Sequence, residues 1–314
     1  MSLGLLALCC GLAAFACLAG LASLAAWLLD RWLGAGGELD PDARATRCFW
    51  LRLWPALAGL LLACGVVVPA FLRFEPRGLA EAPGLSLRLL ALCGAVMLLA
   101  GLLRGATAWW ATLQLRRRWM RQGRAVSLPG EPAPAHAIPH HFPVVTVVGV
   151  LRPRLFVAEQ VLAGLDAAEL RAVLGHEAGH LAARDNLKRL CLRLCPGLPW
   201  PAAARDLEDR WAAAAEEAAD VRAGAGLELA AALVKTARLA PAGSRLALPA
   251  AAFHTGGALA RRVRRLAEGP ALPAEEHRSP AALAAIPLLL ALVAAWSPVS
   301  LLVHGLLEAL VRLP

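Results

Sequence analysis

Asp166-Ala167-Ala168-Glu169-Leu170-Arg171-Ala172-Val173-Leu174-Gly175-His176-Glu177-Ala178-Gly179-His180-Leu181-Ala182-Ala183 carries the densest signal in the chain. Asp166 reads as an N-cap, and Glu169 three residues on completes a capping box. Leu170, Val173, Leu174 and Leu181 recur at helical spacing, so a helix from Asp166 to about Ala183 follows on grounds independent of any motif. Within it His176 and His180 stand at i and i+4. Their imidazoles share one face, one turn apart, where both reach a single metal ion. Glu177 sits beside the pair, placed to take a proton from zinc-acidified water as that water attacks a peptide carbonyl. The plain alternative is two core or surface histidines beside a charge, and the helical setting weighs against it.

Two imidazoles leave a peptidase zinc site one protein ligand short, since such sites use three and keep a fourth position open. The short His-x-x-Gly-x-x-His continuation is absent, because Leu181-Ala182-Ala183-Arg184-Asp185-Asn186 follows. A second amphipathic, alanine-rich helix over 206–223 carries Glu216, Glu217 and Asp220. Glu216 and Asp220 share a face, so one can bind the ion while the other accepts a hydrogen bond from a ligand histidine's second nitrogen. Glu217 points about 100° away. A solvated acidic face is the rival reading of these residues taken alone. Asp185 and Asn186 either cap the next segment or brace the neighbourhood of Asp220. Arg184 and Arg189 read as headgroup contacts.

Upstream, residues 144–150 and 154–158 read as short strands around Pro153, and 127–143, rich in proline and histidine, as an irregular link. The first strand is suited either to an edge that receives an extended peptide or to a plain hairpin. His136, His140 and His141 lack periodicity and are expected to belong to the link rather than to a second metal site. Residues 187–200 mix leucines with Lys188, Arg189 and Arg193; they are too short and charged for a span. They read as an interfacial helix, with a helix folded back beneath the catalytic domain as the alternative.

Composition sets this module in a membrane. The 314 residues are 59% hydrophobic and 18% charged with mean hydropathy +0.58, beyond the roughly 45–50% apolar share of a soluble domain. Residues 3–29 and 53–72 carry no charge, 89–103 extends through Ala106 towards Leu115, and 279–303 forms a fourth uncharged run. Each reads as a membrane span. Arginines at 116–118, 121 and 124, and at 261, 262, 264 and 265, flank the insert between the third and fourth spans and orient it to the cytoplasm. The net charge of +9 is assigned to anionic lipid and topology rather than to nucleic acid, since no aromatic platform or finger spacing accompanies it. Eight cysteines make no dense disulfide framework, and five lie inside apolar runs.

The sequence resembles the M56 peptidases, the zinc-peptidase module of bacterial antibiotic-sensing transducers, related to the M48 membrane peptidases. The likeness is carried by Val148-Gly149-Val150-Leu151-Arg152-Pro153-Arg154-Leu155-Phe156-Val157, Leu170 to His180, Arg184-Asp185-Asn186 and Glu216-Glu217-Ala218-Ala219-Asp220. The resemblance implies that His176, His180 and Glu216 bind Zn²⁺, that Glu177 is the general base and that Asp220 supports a ligand. It also implies cleavage of a protein, either a cytoplasmic regulator or the chain itself. The expected architecture is a mostly α-helical integral membrane protein of about four transmembrane helices. Residues 1–115 form a three-span region, 116–278 a cytoplasmic α+β gluzincin-like zinc domain, and 279–314 the fourth span with a short extracytoplasmic tail. The expected location is the bacterial inner membrane, with lipids, a protein or peptide substrate and a membrane sensor protein as partners. The alternative is a catalytically silent transducer or scaffold holding a structural zinc; trimming of lipidated peptides is a third reading.

Overall fold

The computed structural model describes residues 3–34, 39–74, 83–128, 135–241, 255–268 and residue 305. Helix α1 spans Leu3–Gly34. Helix α2, Pro41–Leu62, starts on the Asp40 side chain, which accepts from the Asp42 N–H, with proline at the first position where no N–H is needed. It runs into a five-residue π segment, Ala63–Val67, and then α3, Val68–Phe74. Pro69 has no N–H to offer the preceding turn, and the ladder widens just before it. Helix α4 spans Leu85–Gln122.

Among the described residues, three helical stretches are long and apolar enough to cross a membrane: Leu3–Trp32, Pro41–Phe74 and Leu85–Gln122. The faces of α4 show how they pack. Leu87, Ala91, Gly94, Met97, Gly101 and Gly105 are buried, whereas Leu89, Leu92, Leu99 and Leu102 are more than half exposed. An inner face of small residues lets backbones approach closely, and an apolar outer face suits lipid. A Cβ at Gly94 would overlap the Leu12 carbonyl of α1, so this contact admits only glycine. The run at 279–303 lies outside the described residues.

The last turns of α4 carry a small sheet. Trp119 packs with Ile138, Val148 and Phe156 of a four-stranded sheet. Its strands are β1 Arg124–Val126, β2 Ala135–Ile138, β3 Val145–Val148 and β4 Arg154–Ala158, in the order β1-β2-β4-β3. β2 and β4 are parallel and the other pairs antiparallel. The expected link at 127–143 is therefore corrected: it contains β2, buried at all four residues. A strand covered on both faces shows no period-two alternation to read. His136 stacks near Phe156, and the three histidines do not converge on a site.

Helix α5, Glu159–Gly164, leads to α6, Ala167–Ala182, which starts at Asp166 with both halves of the capping box formed. Leu174 joins Leu155, Val157, Val161 and Leu165 in the core beneath the sheet. Helix α7, Asp185–Leu194, and α8, Pro201–Ala223, form a hairpin, and α8 ends at Gly224, whose φ of 66° is left-handed. Helices α9, Gly226–Leu239, and α10, Thr255–Glu268, follow.

The α7–α8 hairpin corrects the picture of an interfacial helix at 187–200. Helix α7 runs along α4, with Leu194 seated against Gly101 and Gly105. The Cys195 carbonyl accepts from Arg52 at 3.0 Å and Arg104 at 3.4 Å, and Trp200 donates to the Gly20 carbonyl at 3.0 Å. Gly20 lies about 15 Å along α1 from Asp30 at 1.5 Å per residue, so the hairpin tip reaches well into the helical bundle. Non-helical backbone at that depth needs protein partners, and the two arginines supply them.

Candidate metal centre

The centre begins with close packing of two helices. Gly175 and Gly179 on α6 face Ala223 and Ala219 on α8; a Cβ at Gly179 would stand 3.3 Å from the Ala219 Cα. Because Gly175 and Gly179 precede His176 and His180 on adjacent rows of one helix, this contact swings both imidazoles towards the acidic face of α8.

His176 Nε2 and His180 Nε2 approach to 3.2 Å. Glu216 places Oε2 3.6 Å from the first and Oε1 3.5 Å from the second. Bonds of about 2.0–2.1 Å at tetrahedral angles require ligand atoms about 3.3 Å apart, so the three groups fit a zinc ion. Their other atoms agree. His176 Nδ1 lies 3.0 Å from Asp220 Oδ1 and His180 Nδ1 lies 2.7 Å from Asp185 Oδ2. In the neutral form with Nδ1–H donated to its carboxylate, each ring presents the Nε2 lone pair to the centre. Among the described residues this is the one group of three or more His, Cys, Asp or Glu side chains so arranged. Asp185 thus braces His180, not the surroundings of Asp220, and the segment after Arg184 has no side-chain cap.

Glu177 stands beside the pair, its Oε2 accepting from the Val147 N–H of β3 at 3.1 Å. Burial raises its pKa, against the charges of His176 and His180. For His176, burial disfavours the charge, but the bonds to Asp220 and Glu216 outweigh it and push the metal-free imidazole up to about 9. Glu216 and Asp220 are each held down at about 2; burial opposes this, and His176 and Arg262 overcome it.

Arg262 of α10 is the residue that sequence reasoning assigned elsewhere. Its guanidinium meets Asp220 at 2.5 and 2.9 Å and Glu216 at 3.2 Å, and lies 3.3 Å from His176 Nε2. Arg265 reaches Asp220 and Glu217, and Glu217 also pairs with Arg44 of α2. Two of the four arginines expected to meet lipid therefore bind the acidic face of α8 instead. Arg189 likewise stacks over Trp211 at 5.6 Å. A cleft of about 450 Å³ opens onto the centre, bordered by Val145, Val173, Leu181, Leu229 and Leu233.

The histidine pair and Glu216 form a group that could hold a metal ion, with a further carboxylate, Glu177, beside them. Residues 114–202 match peptidase family M48. The match runs from the end of α4 through the sheet and α6 to the start of α8, and with the three apolar helices it supports a membrane metallopeptidase related to that family. M48 peptidases are typically zinc-dependent, and the ligand group fits that metal. No curated protein and no solved structure matches the chain.

Proposed function

We propose that the chain is a multi-pass membrane zinc endopeptidase acting on a protein substrate at the cytoplasmic face of a bacterial inner membrane. The observation that carries this reading is the convergence of His176, His180 and Glu216 at tetrahedral spacing beside Glu177, which is left out of the ligand set. A purely structural zinc site needs the histidines but no such carboxylate. Bound zinc would acidify water and polarise a carbonyl. Glu177 takes the proton of the attacking water and returns it to the leaving amine. The raised pKa that burial gives it suits a group that must hold that proton between the two steps. Asp220 and Asp185 keep both imidazoles in the ligating tautomer, and Arg262 holds the two α8 carboxylates in place.

The likeness to M56 peptidases in residues 148–157, 170–180 and 216–220 supports a regulatory substrate, either a cytoplasmic regulator or the chain itself, and a membrane sensor protein as partner. Glu177→Gln keeps the metal while abolishing proteolysis. Comparing amino termini in the membrane and cytosolic proteomes of cells expressing wild type and this variant tests the reading, with metal content measured on both. Full activity in Glu177→Gln refutes it.

A further inference from the structure

Strand β3 is the open edge of the sheet beside the cleft. Its alternation is fixed by the bond from the Ala158 N–H to the Val144 carbonyl and by the pairing of Thr146 with Phe156. Val144 turns its carbonyl, and residues 146 and 148 turn their backbone groups, to β4, while Val145 and Val147 turn theirs outward. The outward groups of Val147 are taken by the enzyme itself. Its N–H donates to Glu177 at 3.1 Å, and its carbonyl accepts from Asn186 Nδ2 at 2.9 Å. The same nitrogen donates to the Gly149 carbonyl at 3.1 Å, where φ is 116°. Asn186 stands one residue after Asp185, which holds His180, so a single turn of α7 grips both the ligand and the edge strand.

We infer that Asn186 is a positioning residue that sets the register of the substrate: an extended peptide pairs with β3 through Val145, and is turned away from β3 at Val147. This rests on the peptidase reading. It makes the edge a one-residue ladder, so that grip on the peptide comes chiefly from side chains in the apolar cleft.

The test uses the full-length, zinc-loaded protein in detergent and a quenched-fluorescent peptide that it cleaves, chosen from a library. Each backbone amide other than the scissile one is replaced in turn by an ester, which removes the N–H. In wild type, the ester opposite Val145 lowers kcat/KM about tenfold, as loss of one useful hydrogen bond does, and the ester two residues along towards Val147 lowers it less than about twofold. In Asn186→Ala that second position becomes sensitive too, chiefly through KM, with metal content unchanged. Equal sensitivity at both positions in wild type overturns the inference, as does an unchanged scan in Asn186→Ala. Loss of metal in the variant also overturns it, since Asn186 would then act on the centre rather than the strand. Should the variant not fold, the wild-type scan decides alone. Failure of the zinc-loaded protein to cleave any peptide refutes the peptidase reading and the register with it, and differs from the other outcomes in leaving no cleavable peptide to scan.

Discussion

In the first half of α8, Glu208 faces the membrane helices; just over two turns later, Glu216 faces the paired imidazoles. Glu208 is met by Arg104 at 3.0 Å and by Arg52 at 3.1 Å, and nearby Asp206 accepts from Trp27 and Arg210. Glu216 has one oxygen towards each histidine. The acids are chemically alike and both meet an arginine, Glu216 through Arg262 at 3.2 Å, but only Glu216 also faces two imidazoles. Arginine offers only N–H donors, so a carboxylate met by arginines alone is a closed ion pair. Neutral histidine offers a lone pair, so a carboxylate beside two of them is a ligand set. One helix thus packs on the long apolar helices at one end and completes the candidate metal centre at the other.

The largest expected effects separate those ends. Glu216→Ala removes a ligand, and metal content and peptidase activity fall to background while the hairpin stays docked. Glu208→Ala leaves Arg52, 3% exposed, and Arg104 without their counter-charge. Stranding buried charge costs about 3–5 kcal/mol, so thermal unfolding in detergent shifts down well beyond the shift in Glu216→Ala, while metal is retained in the folded fraction. If Glu208→Ala loses metal and keeps its stability, the division of labour along α8 is wrong.

A second comparison sets the two braces against each other. Asp220→Ala and Asp185→Ala each remove the carboxylate that fixes an imidazole, and such partners are worth about 10–100-fold in metal affinity. Competition with a zinc chelator measures both. Asp220→Ala is expected to weaken binding more, because it also frees Arg262 and Arg265 beside the remaining Glu216. Equal losses would mean that the arginines contribute nothing to the site.

These asymmetries explain what could be read in the chain beforehand. Helix α6 was legible because its cap, its apolar spacing and its histidines all lie within eighteen consecutive residues. Glu216 and Asp220 were legible once paired with it, since their separation of four fixes a shared face. Arg262 was not. Its place beside other arginines reads as membrane flank, and only the folding of α10 against α9 turns it to the centre. Strand β2 escaped for want of alternation, and the depth of residues 194–200 because it depends on Gly20 and Gly101, far apart in sequence and unremarkable on their own. Gly175 and Gly179 carried a usable sign, a small-residue pair at i and i+4 inside α6.

The smallest effect lies at the start of α6, away from both ends of α8, and serves as a control on them. Asp166 Oδ1 accepts from the Ala168 and Glu169 N–H groups at 2.9 Å each, and Glu169 returns the bond to the Asp166 N–H at 3.0 Å. The bonds from the Glu169 and Ala168 N–H groups, with the charge of Lys235, hold the Asp166 carboxyl below the usual carboxylate range. Asp166→Ala removes the cap and lowers the melting temperature modestly; Asp166→Asn, which can still accept both bonds, stays close to wild type. Metal content should be unchanged in both. A cap mutation that emptied the metal centre would mean that α6 is held in place by its first turn rather than by its glycine contact with α8, and the geometry attributed to Gly175 and Gly179 would need another cause.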